Sequence, residues 1–342
     1  MQMHSSIPKP NSATGTFTGK RVLVMGGSGF IGGWLCRRLS AAGAEVYGTY
    51  RSLPLDGRKS GMAEPECSSR RVSLGQNANV RQIDLTDTDC LRELIAVVQP
   101  EIVFNAAAYG VDQGERDAEP YQHLNVDLPM RLCELLHAGI KLVHIGSGAE
   151  YGNPVDQVNE NTVPQPVSMY GASKLAGTQA IVAASERGQV HGLIARLFTI
   201  YGAGEHRGRL LPTLLEAART ETAVRLTSGH QQRDFTYVED AVEGLLRLAV
   251  SPTPPGTIVN LATGKLTSVR EFAEIAADVI GLDRQLLLFG SLPDRQSEIK
   301  HPPVSTTRMS ELIRWTPITG VREGICKAAG SGSYAIAAKV LN

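Results

Sequence analysis

Short apolar runs rich in β-branched residues alternate along the chain with longer segments whose apolar positions recur every three or four residues. Arg21-Val22-Leu23-Val24-Met25 is such a run, ends in glycines, and predicts a buried strand. Residues 30–42 carry a helical period through Ile31, Leu35 and Leu39, and Gly43 supplies the stop. Residues 45–50 predict the next strand, which completes a strand–glycine turn–helix–strand unit. The alternation continues with a strand over 80–85, a helix over 89–98 and a strand over 102–106. It then predicts mostly helix over 120–136, a strand over 141–145, a long helix over 170–186 and a strand over 192–198. Such alternation predicts an α/β fold, a Rossmann doubly wound parallel sheet covered on both faces. From about Gly202 the rhythm loosens, which predicts a smaller, mixed α/β C-terminal lobe over the carboxyl ends of the strands, where open α/β sheets bind ligands.

Composition narrows the class. The 342 residues are 42% hydrophobic and 20% charged, with 34 basic and 34 acidic side chains, so a general nucleic-acid binder is excluded as an expectation. Five scattered cysteines (Cys36, Cys67, Cys90, Cys133, Cys326) show no metal-ligand spacing, and predict reduced thiols in a cytoplasmic protein without a metal site. No apolar stretch is long enough to span a membrane. Residues 1–18, rich in Ser, Pro and Thr, read as a flexible arm, residues 57–75 as an exposed loop and residues 331–342 as a tail.

Gly26-Gly27-Ser28-Gly29-Phe30-Ile31-Gly32 lies between the first strand and first helix. Glycines there permit a tight turn, close approach of backbone amides to a pyrophosphate, and close helix–strand contact. The phosphate would sit at the helix N-terminus, where unpaired N–H groups favour an anion. Residues 19–201 therefore read as a dinucleotide-binding domain, with parts of 230–262 returning to it, and residues 202–330 mainly as a substrate lobe. The second strand ends Gly48-Thr49-Tyr50-Arg51, without the carboxylate that would bond a ribose 2′-hydroxyl. Arg51 suits a 2′-phosphate instead, which favours NADP(H) and leaves NAD(H) open.

Tyr170-Gly171-Ala172-Ser173-Lys174 places a phenol and an ammonium one helical turn apart on one face. An adjacent ammonium stabilises a phenolate and brings its pKa down from about 10 toward neutrality. Tyr170 could then exchange a proton with a carbonyl or hydroxyl while hydride passes to or from nicotinamide, and Lys174 could also hold the nicotinamide ribose.

The glycine spacing, the Tyr–Lys pair and the segments around them resemble the extended short-chain dehydrogenase/reductase family, whose members are NAD(P)-dependent nucleotide-sugar epimerases, dehydratases and 4-ketoreductases. The resemblance runs from about Lys20 to Gly324. It implies that Asp84-Leu85 hold the adenine and that Ala106 and Ala107 pass beside the cofactor. It also implies that Ser147, in Gly146-Ser147-Gly148-Ala149-Glu150-Tyr151-Gly152, is the catalytic hydroxyl. Asn125 in Leu124-Asn125-Val126 resembles a family Asn that faces the site, or is a structural amide. Arg196-Leu197-Phe198-Thr199-Ile200-Tyr201-Gly202 resembles a sugar-contacting segment, with Thr199 in place of Asn. Arg233, in Arg233-Asp234-Phe235-Thr236-Tyr237-Val238-Glu239-Asp240, resembles a nucleotide-diphosphate contact, and Asp240 a structural cap. Family dehydratases carry acidic residues directly after the catalytic hydroxyl; here Gly148 and Ala149 stand there.

The resemblance thus implies a nucleotide-diphosphate sugar substrate, a homodimer built on a helix pair, and NADPH-dependent reduction of a 4-keto-6-deoxyhexose. A 4-epimerase with retained cofactor is the alternative. A non-catalytic dinucleotide sensor would leave Ser147, Tyr170 and Lys174 unexplained.

Overall fold

The computed structural model describes residues 16–50, 78–110, 118–294 and 302–330. The first half of the chain lays down β1 (Arg21–Met25), α1 (Phe30–Ala41), β2 (Glu45–Tyr50), β3 (Ala78–Gln82), α2 (Thr88–Val98) and β4 (Ile102–Asn105). A nearly continuous helical run follows, made of α3 (Ala118–Tyr121), a π-helical stretch (Gln122–Asp127) and α4 (Leu128–Leu135). Next come β5 (Lys141–Ser147), a single 3₁₀ turn (Gly148–Tyr151), α5 (Met169–Glu186) and β6 (His191–Leu197). These strands, with β11 (Thr257–Leu261), form a seven-stranded sheet of order β11-β6-β5-β4-β1-β2-β3. Every pairing in it is parallel.

The strand order reverses at β1, which sits between β2 and β4. At that switch point the crossover helices leave on opposite faces, and a crevice opens beyond the carboxyl ends of the strands. Alternation along β1 feeds both faces. Val22 and Val24 join one buried cluster with Leu35 and Leu39 of α1, and Leu23 and Met25 join the other with Leu91 and Leu94 of α2.

Beyond β6 the chain builds the smaller lobe from β7 (Thr199–Tyr201), α6 (Leu210–Thr220), β8 (Val224–Arg225), β9 (Gln232–Arg233) and β10 (Phe235–Tyr237), and α7 (Val238–Val250) then returns to pack against α1, β5 and β6 of the large sheet. After β11 it adds β12 (Thr267–Ser268), α8 (Val269–Ile280), β13 (Leu287–Leu288), α9 (Thr307–Ile313) and α10 (Val321–Gly330). Three two-stranded sheets, β7 with β10, β9 with β12, and β8 with β13, complete it. The carboxylate of Asp240, in the first turn of α7, does not cap its own helix; it accepts the backbone N–H groups of Ile318 and Thr319 at 3.0 and 2.7 Å.

Two boundaries differ from the sequence pattern. The pattern starts ordered structure near Lys20, yet Phe17 is fully buried in the larger core cluster. The N–H of Gly19 donates to the Gly43 carbonyl, which holds this short segment against the turn after α1. The third strand ends at Gln82, three residues before Leu85. The side chain of Asp84 accepts from both the N–H and the hydroxyl of Thr86, at 2.9 and 2.7 Å. That local turn competes with strand pairing and ends the strand early.

Candidate active site

The glycine turn leaves β1 at Gly26, whose φ of +73° favours a residue without a Cβ. A Cβ there would lie 2.9 Å from the backbone of Ala107, so the segment carrying Ala106 and Ala107 passes directly over the turn. Gly32, buried on the first turn of α1, faces the Gly26 carbonyl at a distance that admits no side chain. Thr49 anchors the turn from β2, its hydroxyl accepting the Gly26 N–H at 2.9 Å. No side chain caps α1, whose N-cap is Gly29. Its first N–H groups are therefore open to an anion, and the narrow backbone cradle in front of them fits a dinucleotide pyrophosphate. Ser28, Phe30 and Ile31 are half-buried around this cradle. Asp84 is exposed and Leu85 half-buried, on the turn after β3. Arg51 lies outside the described residues.

Two strands from β1 in the sheet order, β5 ends at Ser147, and the 3₁₀ turn that follows is closed by a capping box. The Ser147 hydroxyl accepts the Ala149 N–H at 3.2 Å, and the Glu150 carboxylate accepts the Ser147 N–H at 2.7 Å. Helix α5 begins beside it. Ser168 caps that helix, accepting the Gly171 N–H at 3.0 Å, and so fixes where Tyr170 stands. Replacing Ser168 by Ala is expected to cost about 1 kcal/mol of stability, read as a lower urea midpoint.

The Ser147 hydroxyl lies beside the Tyr170 phenol, and Lys174 stands one turn further along α5. Tyr170 is half-buried and Lys174 almost fully buried. Burial pushes the Lys174 ammonium down to about 8, and the charge of Glu150 pulls it back up. Burial likewise raises the Tyr170 phenol above its ordinary value; the Ser147 hydroxyl opposes this, Glu150 adds to it and Arg209 opposes it. The simple expectation of a phenol lowered by its neighbouring ammonium is therefore not met by the protein alone. Desolvation of Tyr170 outweighs the charges around it, and the phenol is held as the acid.

An aromatic wall flanks the phenol. The Tyr121 ring packs edge-on against Tyr170 at 6.5 Å and against Tyr109 at 5.0 Å. Asn125, buried in the π-helical stretch, accepts the Tyr109 N–H at 2.9 Å and donates to the Tyr109 carbonyl and the Ser173 hydroxyl. Its amide thus braces the wall and the Tyr170 helix. Thr199 opens β7, half-buried, with its N–H donating to the Asp234 carbonyl. Arg233 is half-buried on β9, its guanidinium donating to the Gln232 carbonyl at 2.7 Å.

Thr49, Tyr121 and Arg209 were not singled out by the sequence motifs. A buried Thr one residue before a strand end was the only local signal for Thr49, while Tyr121 and Arg209 reach the site through tertiary packing alone. Among the described residues no group of three or more His, Cys, Asp or Glu side chains could hold a metal ion, and no helix is long and apolar enough to cross a membrane.

Against known proteins, residues 22–262 match the model of the NAD dependent epimerase/dehydratase family. The chain belongs to this family. Membership carries with it an NAD(P) dinucleotide cofactor and the modification of nucleotide sugars. The chain is 34% identical to dTDP-6-deoxy-L-talose 4-dehydrogenase (NAD(P)(+)) of Kitasatospora kifunensis, over 89% of this chain and 93% of that protein. It is 29% identical to UDP-glucose 4-epimerase of Mycolicibacterium smegmatis, over 90% of this chain and 96% of the other. Among solved structures, MoeE5 in complex with UDP-glucuronic acid and NAD superposes with a TM-score of 0.74 at 27% identity, covering 90% of this chain and 97% of MoeE5.

Proposed function

We propose that the protein reduces the 4-keto group of a nucleotide-linked 4-keto-6-deoxyhexose, with NADPH as the hydride donor. The observation that carries this reading is the space after Ser147. A Cβ at Gly148 would lie 2.5 Å from the Phe198 ring, so no acid fits there, and Ala149 offers none. The one acid of the segment, Glu150, is fully buried and ion-paired with Arg196 at 2.7 Å. A 4,6-dehydratase needs a second proton relay at neighbouring carbons; among the described residues the segment after Ser147 supplies none beside the relay we assign to Ser147, Tyr170 and Lys174. That suffices for chemistry at one carbon.

A nicotinamide dinucleotide supplies or accepts the hydride when bound over the glycine cradle. Ser147 then donates a hydrogen bond to the substrate oxygen and steadies its developing charge. Tyr170, kept protonated by its desolvated position, gives that oxygen its proton as the carbonyl becomes a hydroxyl. Lys174 holds positive charge beneath the phenol, so that the proton leaves toward substrate at small electrostatic cost. Arg233, from the small lobe, is assigned to the diphosphate, where a guanidinium can donate paired hydrogen bonds, and Thr199 to the sugar. Arg51, with no acid at the end of β2, supports NADP(H) over NAD(H). The 34% identity to a 4-dehydrogenase of a dTDP-6-deoxysugar supports the same carbon and sugar class.

The second reading is a 4-epimerase that keeps its cofactor, favoured by the 29% identity to UDP-glucose 4-epimerase. Purified protein mixed with NADPH and a panel of dTDP- and UDP-linked 4-keto-6-deoxyhexoses separates them. Stoichiometric loss of NADPH absorbance with one reduced sugar nucleotide is the expected result. No loss with any panel member, together with dinucleotide that survives purification, would favour the epimerase.

A further inference from the structure

Behind the relay lies an ion pair that the proposed chemistry does not use. Glu150 and Arg196 are almost fully buried, 2.7 Å apart, and are contributed by the turn after β5 and by β6. The pair has its own fittings. Oε1 of Glu150 accepts the Ser147 N–H at 2.7 Å and the Thr178 hydroxyl of α5 at 3.2 Å. The Arg196 guanidinium lies 4.4 Å over the Tyr151 ring, and the Tyr151 hydroxyl donates to Asn260 of β11 at 2.8 Å. A Cβ at Gly146 would fall 2.7 Å from Glu150 Oε1 and 3.2 Å from the Arg196 chain, so the strand is bare there to let the pair in.

Burying two charges is unfavourable unless each is fully paired, and such a pair is weak evidence for stability on its own. Its placement suggests another use. One oxygen of Glu150 fixes the backbone of Ser147 and accepts the hydroxyl of Thr178, one turn beyond Lys174 on α5, so the carboxylate lies against the helix that carries Lys174 and Tyr170 and its charge bears on both. We propose that Glu150 is a positioning residue for catalysis: a buried carboxylate, locked by Arg196, that pins the Ser147 turn and serves as the fixed counter-charge of Lys174. This rests on the reading of Ser147, Tyr170 and Lys174 as the proton relay.

The charged and titratable groups around the carboxylate act from every side. Arg196 faces it from β6, Lys174 and Tyr170 feel its charge from α5, and Tyr151 of its own turn packs on Arg196. His144 on β5, hydrogen-bonded to Asn105, shares the neighbourhood of Lys174 and is held well below the usual imidazole range by burial and that ammonium. Arg209 acts on Tyr170, and Glu160 acts on Tyr151. Within this set Glu150 is the anion that raises both Lys174 and Tyr170. Taking its charge away should therefore let both fall, with Lys174 becoming neutral at lower pH.

Glu150→Gln tests this cleanly, because the amide oxygen can still accept from Ser147 and Thr178 while the charge is gone. The probe is the titration of Lys174 itself, followed by NMR in protein labelled with ¹³Cε-lysine and assigned by the signal lost in Lys174→Ala. In Glu150→Gln the midpoint is expected about half a unit to one unit below wild type. The alkaline limb of kcat/KM for ketone reduction should move the same way. An unchanged midpoint in a folded Glu150→Gln protein would overturn the proposal. If the lone Arg196 charge prevents folding, Glu150→Gln with Arg196→Met carries the same measurement, and an unchanged midpoint there overturns it equally. Because the titration needs no substrate, it decides the role of Glu150 even if no 4-ketosugar is reduced, an outcome that would count against the proposed reaction alone.

Discussion

Replacing Tyr170 by Phe is expected to lower kcat by about 10²- to 10⁴-fold, the usual contribution of a positioned general acid. Dinucleotide affinity and the melting temperature should stay near wild type. The ring is retained, so its edge-on packing against Tyr121 survives, and what is removed is the hydroxyl beside Ser147. Single-turnover reduction followed by NADPH absorbance isolates the chemical step from product release. A residual rate within threefold of wild type would mean that another group delivers the proton. The raised phenol pKa gives the direction of this argument: over the neutral range the free enzyme holds Tyr170 protonated, ready to donate in reduction.

Gly32→Ala should be as damaging to cofactor binding as Tyr170→Phe is to turnover. The added Cβ would sit 2.1 Å from the Gly26 carbonyl oxygen and 2.8 Å from its carbon, both rigid backbone. Either α1 moves away from β1 or the turn opens, and each displaces the cradle proposed for the pyrophosphate. Overpacking of this kind costs about 1–3 kcal/mol, so the dissociation constant for NADPH is expected to rise by about 10- to 100-fold. Isothermal titration would measure it. Gly320→Ala, outside the turn, offers the internal control, because its Cβ would meet nothing within 4 Å. Equal, small losses in both variants would place the dinucleotide away from this turn.

The repeating layers of the sheet and helices were legible because hydrophobic period is a local property, and the strands β1, β4, β5 and β6 are short buried runs bounded by turns. The motif residues around Tyr170 were legible for a similar reason: a fixed spacing on one helix face needs no partner elsewhere. What escaped depends on partners distant in sequence. Phe17 is a single aromatic in a Ser- and Thr-rich stretch, without period, and only the packed core shows that it belongs there. The motif around Asn125 offers a site-facing or a structural amide, and only the fold shows Tyr109 and Ser173 filling it. Glu150 lies 46 positions from the arginine that neutralises it, and no spacing rule links such a pair. The end of β3 was misjudged because Asp84 and Thr86 satisfy each other locally and outbid the neighbouring strand.

The position of β11 on the edge of the large sheet bears on how the chain acquires its shape. The strand joins β6 through five registered positions from Thr257 to Leu261, after the chain has gone out to build much of the small lobe. A nascent chain that has released β6 but not yet β11 therefore presents an open strand edge for about sixty residues of synthesis, at rates of roughly 5–20 residues per second. Fragments ending near Tyr201 would keep that edge permanently unpaired and should self-associate. Fragments reaching past Leu261 should not, which makes the lobe a detour within one cooperative unit and a poor candidate for excision or transplantation.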